Sequence, residues 1–286
     1  MRPIHAVLDI ADLRIAVEAP EGMAALDSPL FARAVAMYGD GREKSPGSYA
    51  VRVLPEGSID MPAYENKQCQ CIKTIEDGTN LFFDSPFALS RVDLGAGLLE
   101  VCLKDENQCS EPVEWILLSH IRLLISLVTV ERGGVPLHCS SLRKDDCCVA
   151  FTGPSGSGKT TVSRLLMPSW ELLNDEFNIV LLRSDGWWVM STPFTKHETL
   201  LTCTTGSCRL QKLFAVEHGS GIQTCTMSLG QAFQVVSSGA YVVPYSHAFC
   251  KKLFDNVAAL CHDVDVMRLR FNRDCTVDDL ISSIME

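Results

Sequence analysis

The stretch CCVAFTGPSGSGKT, residues 147–160, decides the fold of the core. Mostly apolar residues typical of a buried strand lead into a glycine-rich loop, and the residues after it have helical apolar spacing. The loop fits the pattern G-x-x-x-x-G-K-[ST] at every fixed position, with Gly153, Gly158, Lys159 and Thr160. A strand, a loop of this pattern and a helix in that order predict a P-loop, which binds the phosphates of a nucleotide.

The residue types of the glycine-rich loop, residues 153–158, suit phosphate binding. Glycines let backbone N–H groups converge on phosphate oxygens without obstruction by Cβ atoms, and the N-terminus of the following helix adds partial positive charge. Lys159 would reach the β and γ phosphates of ATP, and the Thr160 hydroxyl would ligate Mg²⁺. We expect the nucleotide to contact the consecutive residues Gly153, Pro154, Ser155, Gly156, Ser157, Gly158, Lys159, Thr160 and Thr161.

Two adjacent carboxylates follow in LLNDE, residues 172–176. A charge at the end of an apolar strand is costly unless it is paired or bound to a metal. Asp175 and Glu176 could be surface carboxylates that face opposite sides of a strand. We expect instead that one points at the metal and phosphate site and the other at the attacking hydroxyl. The candidate magnesium ligands are therefore Thr160, Glu176 and Asp175.

Turn residues and apolar spacing predict the elements around this site. ELLNDEFNIVLLR, residues 171–183, is predicted as one strand, and WWVMSTPF, residues 187–194, returns antiparallel as a hairpin. The fold class is therefore α/β with a mixed sheet. The other predicted elements are strands at 134–142, 147–151, 208–219 and 266–271, and helices at 110–132, 160–167, 227–239, 246–264 and 276–286, with Ser110 and Thr276 as N-caps of the first and last helices.

Residues 1–108 contain no catalytic motif and look β-rich, with candidate strands RIAVEA, YAVRVL, QCIKTI and NLFFD. We interpret this part as a β-rich N-terminal accessory region. The predicted domains are therefore residues 1–108 and a nucleotide-binding domain over residues 109–286.

Composition excludes several classes of protein. The net charge of −10 argues against a nucleic-acid-binding protein, whose binding surface is usually basic. The thirteen cysteines contain no CxxC pair and do not resemble a disulfide framework, which favours free thiols in a reducing cytoplasm. The longest apolar run, residues 115–130, is too short to span a bilayer and contains His120 and Arg122, so we expect no membrane segment.

Together these motifs resemble the HPr kinase/phosphorylase group, which shares its nucleotide-binding core with ATP-dependent phosphoenolpyruvate carboxykinases. The resemblance covers residues 135–200 well, through LHCSSL, GPSGSGKT, LLNDE and the hairpin that ends in TPF. It extends weakly to residue 286, and residues 1–108 carry none of the motifs of that group. The resemblance implies a P-loop core with a mixed sheet.

The same resemblance implies roles for three site residues. Asp175 matches the residue that acts as base on the acceptor serine, and Glu176 matches a second carboxylate that assists at the metal. His138 in LHCSSL matches a histidine on the strand before the P-loop. The sequence departs from true HPr kinases because Glu replaces the second Asp and because their later glycine-rich signature is absent. HPr is therefore not the expected substrate, and the pattern is more similar to HPr-kinase-related proteins encoded beside ribosomal-peptide modification enzymes, such as lasso-peptide kinases and the C component of the SynChlorMet cassette.

The predicted function is a Mg-ATP-dependent kinase that transfers a phosphoryl group to a Ser or Thr hydroxyl of a peptide or protein, with Asp175, His138 and Lys159 as catalytic residues. Two alternatives stay open, a non-catalytic ATP-binding accessory protein and a kinase for a small molecule such as serine. A homo-oligomer is compatible with the sequence. The positive charge that phosphoryl transfer needs could come from the segment after the hairpin, which contains Lys196, His197, Arg209 and His218, with Lys196 and Arg209 favoured.

Overall fold

The structure is a computed structural model that describes residues 4–20, 29–38, 48–60, 73–77, 79–104, 112–195, 203–242, 247–272 and 274–285. The described residues form an α/β fold with two mixed sheets and six helices. They divide into two compact units, the N-terminal unit, Met1–Val128 with Val243–Phe249, and the C-terminal unit, Thr129–Val242 with Cys250–Glu286. The domain boundary predicted at residues 108 and 109 lies outside the described residues.

A seven-stranded mixed sheet forms most of the N-terminal unit. Its elements are β1 (Ile4–Ile10), β2 (Leu13–Ala19), α1 (Pro29–Tyr38), β3 (Ser48–Leu54), β4 (Lys73–Asp77), β5 (Asn80–Asp84), β6 (Ala88–Asp93) and β7 (Leu98–Leu103). The strand order is β1-β2-β3-β7-β6-β5-β4, with β2, β3 and β7 parallel and the other neighbours antiparallel. Alternate residues of β2 are buried, as expected for a strand with one face on a core.

The remaining elements belong mainly to the C-terminal unit. They are α2 (Val113–Glu131), β8 (Val135–Lys144), β9 (Cys147–Thr152), α3 (Lys159–Leu166), β10 (Glu171–Asn174), β11 (Phe177–Arg183), β12 (Gly186–Met190), β13 (Ser207–His218), β14 (Gln223–Thr226), α4 (Leu229–Gly239), α5 (His247–Asp263), β15 (Asp265–Phe271) and α6 (Val277–Met285). The boundary between the two units falls within α2.

Five strands of the second sheet close a ring of pairings. Strand β8 pairs antiparallel with β9 and β11, β9 pairs parallel with β13, and β12 pairs antiparallel with β11 and β13. Strand β15 lies parallel to β13, β14 pairs with β15, and β10 pairs with β8. Strand β9 thus has a neighbour on both sides, which explains its nearly continuous apolar sequence.

A hydrophobic core cluster packs around the end of β9 and the helix α3 that follows it. The rings of Phe151 and Phe214, from neighbouring strands, stack with centroids 5.6 Å apart. Val162 of α3 and Leu280 of α6 are fully buried in the same cluster. Because α3 packs on this face of the sheet, the glycine-rich loop is fixed at the carboxyl end of β9.

The structure confirms the predicted hairpin and corrects one strand. Strands β11 and β12 pair antiparallel, so the sheet is mixed as predicted. The single strand predicted over residues 171–183 is wrong, because the chain bends at Asp175 and Glu176 between β10 and β11. The predicted N-cap of the last helix is confirmed, since the Thr276 hydroxyl accepts the Asp279 N–H at 3.1 Å. Five further elements are not predicted from the sequence, namely α1, β1, β6, β7 and β14.

The expectation that the apolar run at residues 115–130 is too short to span a bilayer is wrong, because helix α2 is long and apolar enough to cross a membrane by length and composition. However, 72% of its most apolar window is buried within the protein. This burial is typical of a core helix. The N-cap predicted for this helix, Ser110, lies outside the described residues.

Candidate functional site

A pocket of about 280 Å³ joins the glycine-rich loop to the two carboxylates. Every residue that lines it was a candidate in the sequence analysis. The lining residues are His138, Ser155, Gly156, Gly158, Lys159, Thr160, Thr161, Asp175, Glu176 and His218. The pocket is therefore built from β8, the glycine-rich loop, α3, the bend after β10 and the end of β13.

Two glycines of the loop have no substitute that would keep this shape. Gly153 and Gly158 have φ values of 144° and 108°, a region that side chains other than hydrogen rarely tolerate. A Cβ at Gly158 would lie 2.9 Å from the ring of Phe271, and a Cβ at Gly153 would lie 2.9 Å from the Ser157 hydroxyl oxygen. The loop is thus held by both backbone conformation and close contacts.

Lys159 opens α3 and folds back over the loop. Its Nζ donates to the carbonyl oxygen of Gly153 at 2.7 Å and to that of Pro154 at 3.2 Å. The helix makes no side-chain cap at Gly158, so no side chain there competes for its first N–H groups. The Ser157 hydroxyl oxygen is buried and has no hydrogen-bond partner within the described part of the chain. Cationic and N–H donors therefore converge at the start of α3.

The carboxylate turn, residues 174–177, brings Asp175 and Glu176 to this edge of the sheet. Asn174 is fully buried, and its side-chain oxygen accepts the N–H groups of Glu176 at 2.7 Å and Phe177 at 3.0 Å. Its amide group donates to the carbonyl oxygen of Thr192 at 2.8 Å. Asn174 thus ends β10, turns the chain and ties the turn to the segment after β12, which explains why the predicted single strand is interrupted.

Asp175 is the more buried carboxylate, with a relative exposure of 5%. The Thr195 hydroxyl donates a hydrogen bond to its Oδ1. A carboxylate buried to this degree needs such donors to remain charged. The segment after β12 therefore supports Asp175 as well as Asn174.

Glu176, in the bend before β11, lies beside His138 of the neighbouring strand β8. His138 pairs with Phe177 in the register of β8 and β11, and its Nε2 is 3.7 Å from Oε1 of Glu176. This separation is longer than a hydrogen bond but short enough for an ion pair when the imidazole is protonated. The structure therefore places the predicted histidine beside Glu176 in the pocket.

His218 ends β13 and contacts the glycine-rich loop. Its Nε2 lies 2.7 Å from the Gly156 carbonyl oxygen, which can only accept, so this nitrogen must carry the proton. Arg209, which the sequence favours as a source of positive charge for phosphoryl transfer, lies instead beside Gly186 at the tip of the hairpin. Lys196 and His197 lie outside the described residues.

Two supporting residues, Asn174 and Thr195, are not among the candidates that the sequence suggests. Asn174 carried a usable signal, because an Asn before a polar pair commonly turns the chain through its side chain. Thr195 carried none, because it meets Asp175 from 20 residues further along the chain. Contacts of this kind depend on how the hairpin folds back and are not encoded in local spacing.

The thiols near the site are buried and protonated. Burial raises the pKa of Cys139 on β8 to about 12. Burial and the charge of Asp175 raise the pKa of Cys203 to about 12. Ten cysteines lie in the described part of the chain, and each of these is a free thiol.

Comparison with known proteins gives one family. The sequence model of the family described as SynChlorMet cassette protein ScmC matches residues 101–276, a range that contains every residue lining the pocket. No match was found among curated proteins. The predicted similarity to the C component of this cassette is thereby confirmed. Because the match covers more than half of the chain, the protein belongs to the SynChlorMet cassette protein ScmC family.

Proposed function

We propose that this protein is a Mg-ATP-dependent kinase that transfers the γ-phosphoryl group to a Ser or Thr hydroxyl of a peptide or protein. The observation that carries the proposal is the single pocket shared by Lys159 and Thr160 with Asp175 and Glu176. Phosphoryl transfer needs donors for the phosphates, a metal site and a base for the attacking hydroxyl. The lining of this pocket contains a residue suited to each of these tasks.

The residues present fit a nucleotide and its magnesium ion. The loop leaves a cradle that Cβ atoms at Gly153 and Gly158 would distort, and Lys159 faces it from the start of α3. No group of three His, Cys, Asp or Glu side chains in the described ranges is arranged to hold a metal by itself. Magnesium would therefore depend on the Thr160 hydroxyl, on Glu176 with or without Asp175, and on phosphate oxygens, which is how nucleotide-bound magnesium is usually held.

The chemistry required of the protein is simple. The acceptor oxygen would attack the γ-phosphorus as the bond to the bridging oxygen of ADP breaks, and Asp175 would take the hydroxyl proton. Lys159 and the loop N–H groups would hold the phosphate oxygens as charge moves toward ADP. Magnesium, when bound, supplies further neutralisation of phosphate charge. His138 would keep Glu176 oriented or contact the transferring group.

The order of elements supports kinship with the HPr kinase and carboxykinase core. A histidine-bearing strand, the strand before the loop, a short helix, a carboxylate pair and an antiparallel hairpin occur in that sequence order. The family description, SynChlorMet cassette protein ScmC, names a cassette and no activity, so a peptide acceptor is part of the proposal. Cytoplasmic location and the absence of a nucleic-acid partner are proposed on charge and cysteine usage.

One observation favours the second candidate, an ATP-binding accessory protein that transfers nothing. Asp175 is 5% exposed, and a base must reach the proton of its acceptor. An accessory protein would need the loop and Lys159 but not an accessible base. The two functions therefore make different predictions for substitution of Asp175.

The test is transfer of label from γ-labelled ATP to a library of synthetic peptides that each contain one Ser or Thr, with mass spectrometry to locate the phosphate. We expect wild type to label a hydroxyl, and Asp175→Asn to turn over about 10²–10⁴-fold more slowly because it keeps the shape and loses basicity. Calorimetric affinity for Mg-ATP should be nearly the same in both proteins.

Equal labelling rates in wild type and Asp175→Asn would remove the base assignment. Binding of ATP by wild type without labelling of any peptide would favour the accessory protein. Labelling of free serine but no peptide would favour a small-molecule kinase.

A further inference from the structure

Thr195 stands directly behind the carboxylate to which the proposed function gives the role of base. We propose that Thr195 is a positioning residue, whose hydroxyl holds the Asp175 carboxylate in the orientation needed to accept the proton of the phosphoryl acceptor. This inference rests on the proposed function, because it concerns the orientation of its base. No sequence motif marks Thr195, and the contact arises only in the folded C-terminal unit.

The geometry gives the Thr195 hydroxyl one clear task. Asp175 and Thr195 are each 5% exposed, and the hydroxyl donates to Oδ1 of the carboxylate. An ionised carboxylate can only accept, so the direction of this hydrogen bond is fixed. A charge-assisted bond in a site with little water is stronger than the same bond at the surface. Loss of the hydroxyl would therefore leave a buried carboxylate with one donor fewer.

The position of Thr195 is itself constrained. Its N–H donates to the carbonyl oxygen of Pro193 at 3.1 Å. The side chain is buried, and its hydroxyl faces the equally buried Asp175 carboxylate. Thr195 is thus held at its backbone and enclosed by protein, which limits the directions in which its hydroxyl can donate.

A hydroxyl hydrogen-bonded to a base could also be the phosphoryl acceptor. The burial of Thr195 favours positioning over that role. Thr195 does not line the pocket, whereas Asp175 does. A hydroxyl behind the carboxylate can orient it without approaching the phosphates. Residues that orient a functional carboxylate typically change activity by about 10–100-fold when they are replaced.

The experiment compares Thr195→Val, which removes the hydroxyl at nearly constant shape, with Thr195→Ser, which retains it. The matched control is Thr204→Val, because the Thr204 hydroxyl donates to the Leu172 carbonyl oxygen at 3.2 Å and not to the carboxylate. Each full-length protein is assayed with γ-labelled Mg-ATP and the same peptide library. Turnover, the KM for ATP and the thermal midpoint are measured for all four proteins.

We expect Thr195→Val to lower turnover by about 10–100-fold with an unchanged KM for ATP. Thr195→Ser, which keeps the hydroxyl, should retain most of the wild-type turnover. Thr204→Val should keep wild-type turnover. If Thr195 merely stabilised the fold, its substitution would lower the thermal midpoint. Turnover would then fall in proportion to that loss of stability in Thr195→Ser and Thr204→Val as well. A fall in turnover confined to Thr195→Val supports positioning.

Three results would overturn the proposal, and they separate it from the proposed function. Wild-type turnover in Thr195→Val contradicts the positioning role alone. Phosphate on Thr195 itself in the wild-type reaction shows an acceptor and not a positioning residue. A wild type that binds ATP but labels no peptide contradicts the kinase function, and the role of Thr195 falls with it.

Discussion

The two halves of the candidate site are built by different means. The glycine-rich loop is determined by its own residues, through positive φ values at Gly153 and Gly158 and through Lys159, which hydrogen-bonds to carbonyl groups five and six residues earlier. The carboxylate turn is determined from a distance, since Asn174 is tied to Thr192 and Asp175 is tied to Thr195. A local motif therefore predicts the first half, whereas the second depends on the return of the hairpin.

Substitutions in the loop and in the carboxylate turn should therefore have different effects. Damage to the loop should act through the backbone conformation and close contacts of the loop itself, both on stability and on phosphate binding. Damage to the turn should also weaken the attachment of the hairpin, because the same hydrogen bonds serve both. Substitutions in the two halves can therefore be used to separate local from long-range support.

The largest effect is expected for Gly158→Ala. The added Cβ would need a φ of 108° and would lie 2.9 Å from the ring of Phe271, so strain and overpacking combine. We expect a loss of about 2–5 kcal/mol in the free energy of unfolding, measured by urea denaturation.

Gly156→Ala is the matched control for Gly158→Ala. Gly156 also has a positive φ, of 80°, but a Cβ there would meet no atom within 4 Å. Its cost should be limited to about 1 kcal/mol of backbone strain. Equal losses in the two variants would show that the contact with Phe271 does not restrain the loop.

The second prediction concerns Lys159→Ala. Loss of the cationic donor should weaken Mg-ATP binding by about 1.5–3 kcal/mol, the usual range for a hydrogen bond to a charged group. Isothermal calorimetry measures it, with the exposed Lys144→Ala as control for the change in net charge. Equal affinities in all three proteins would remove the phosphate-binding assignment of the loop.

The third prediction addresses the turn through Asn174→Ala. Two N–H groups, the part-buried one of Glu176 and the buried one of Phe177, would lose their acceptor. We expect a loss of about 1–3 kcal/mol in the free energy of unfolding. Asn272→Ala, which removes an amide that donates to the Ser220 carbonyl oxygen at the long distance of 3.4 Å, should cost far less. A similar cost in both variants would contradict the role of Asn174 in fixing the turn.

The features that can be predicted from the sequence follow the same division between local and long-range support. The strand, loop and helix around residues 147–166 and the β11–β12 hairpin were predictable, because glycine, turn and apolar patterns act over a few residues. The bend at Asp175 was predicted as strand, because its apolar flanks outweighed the turn signal of Asn174. His218 was named but not favoured, since only the parallel pairing of β13 with β9 brings it to the loop. In the N-terminal unit the order of the seven strands could not be inferred, because no motif there fixes their pairing.

The smallest expected effect is the pH dependence of stability that the buried Cys203 thiol contributes. It tests whether water reaches the space behind the carboxylate turn. Burial and the charge of Asp175 raise the pKa of the Cys203 thiol to about 12, whereas an unfolded thiol titrates near 8.5. The folded state therefore keeps its proton at a pH where the unfolded state loses it, so this thiol contributes stability below about pH 8.5 that is lost progressively as the pH rises toward 12. Between pH 7 and pH 9 the loss should be about 0.8 kcal/mol. Other groups titrate in the same range, so the measured quantity is the difference in the free energy of unfolding between wild type and Cys203→Ala at each pH. That difference should shrink by this amount as the pH rises. A constant difference would mean that water reaches Cys203 in the folded protein, and the support of Asp175 by buried groups would then be weaker than the geometry indicates.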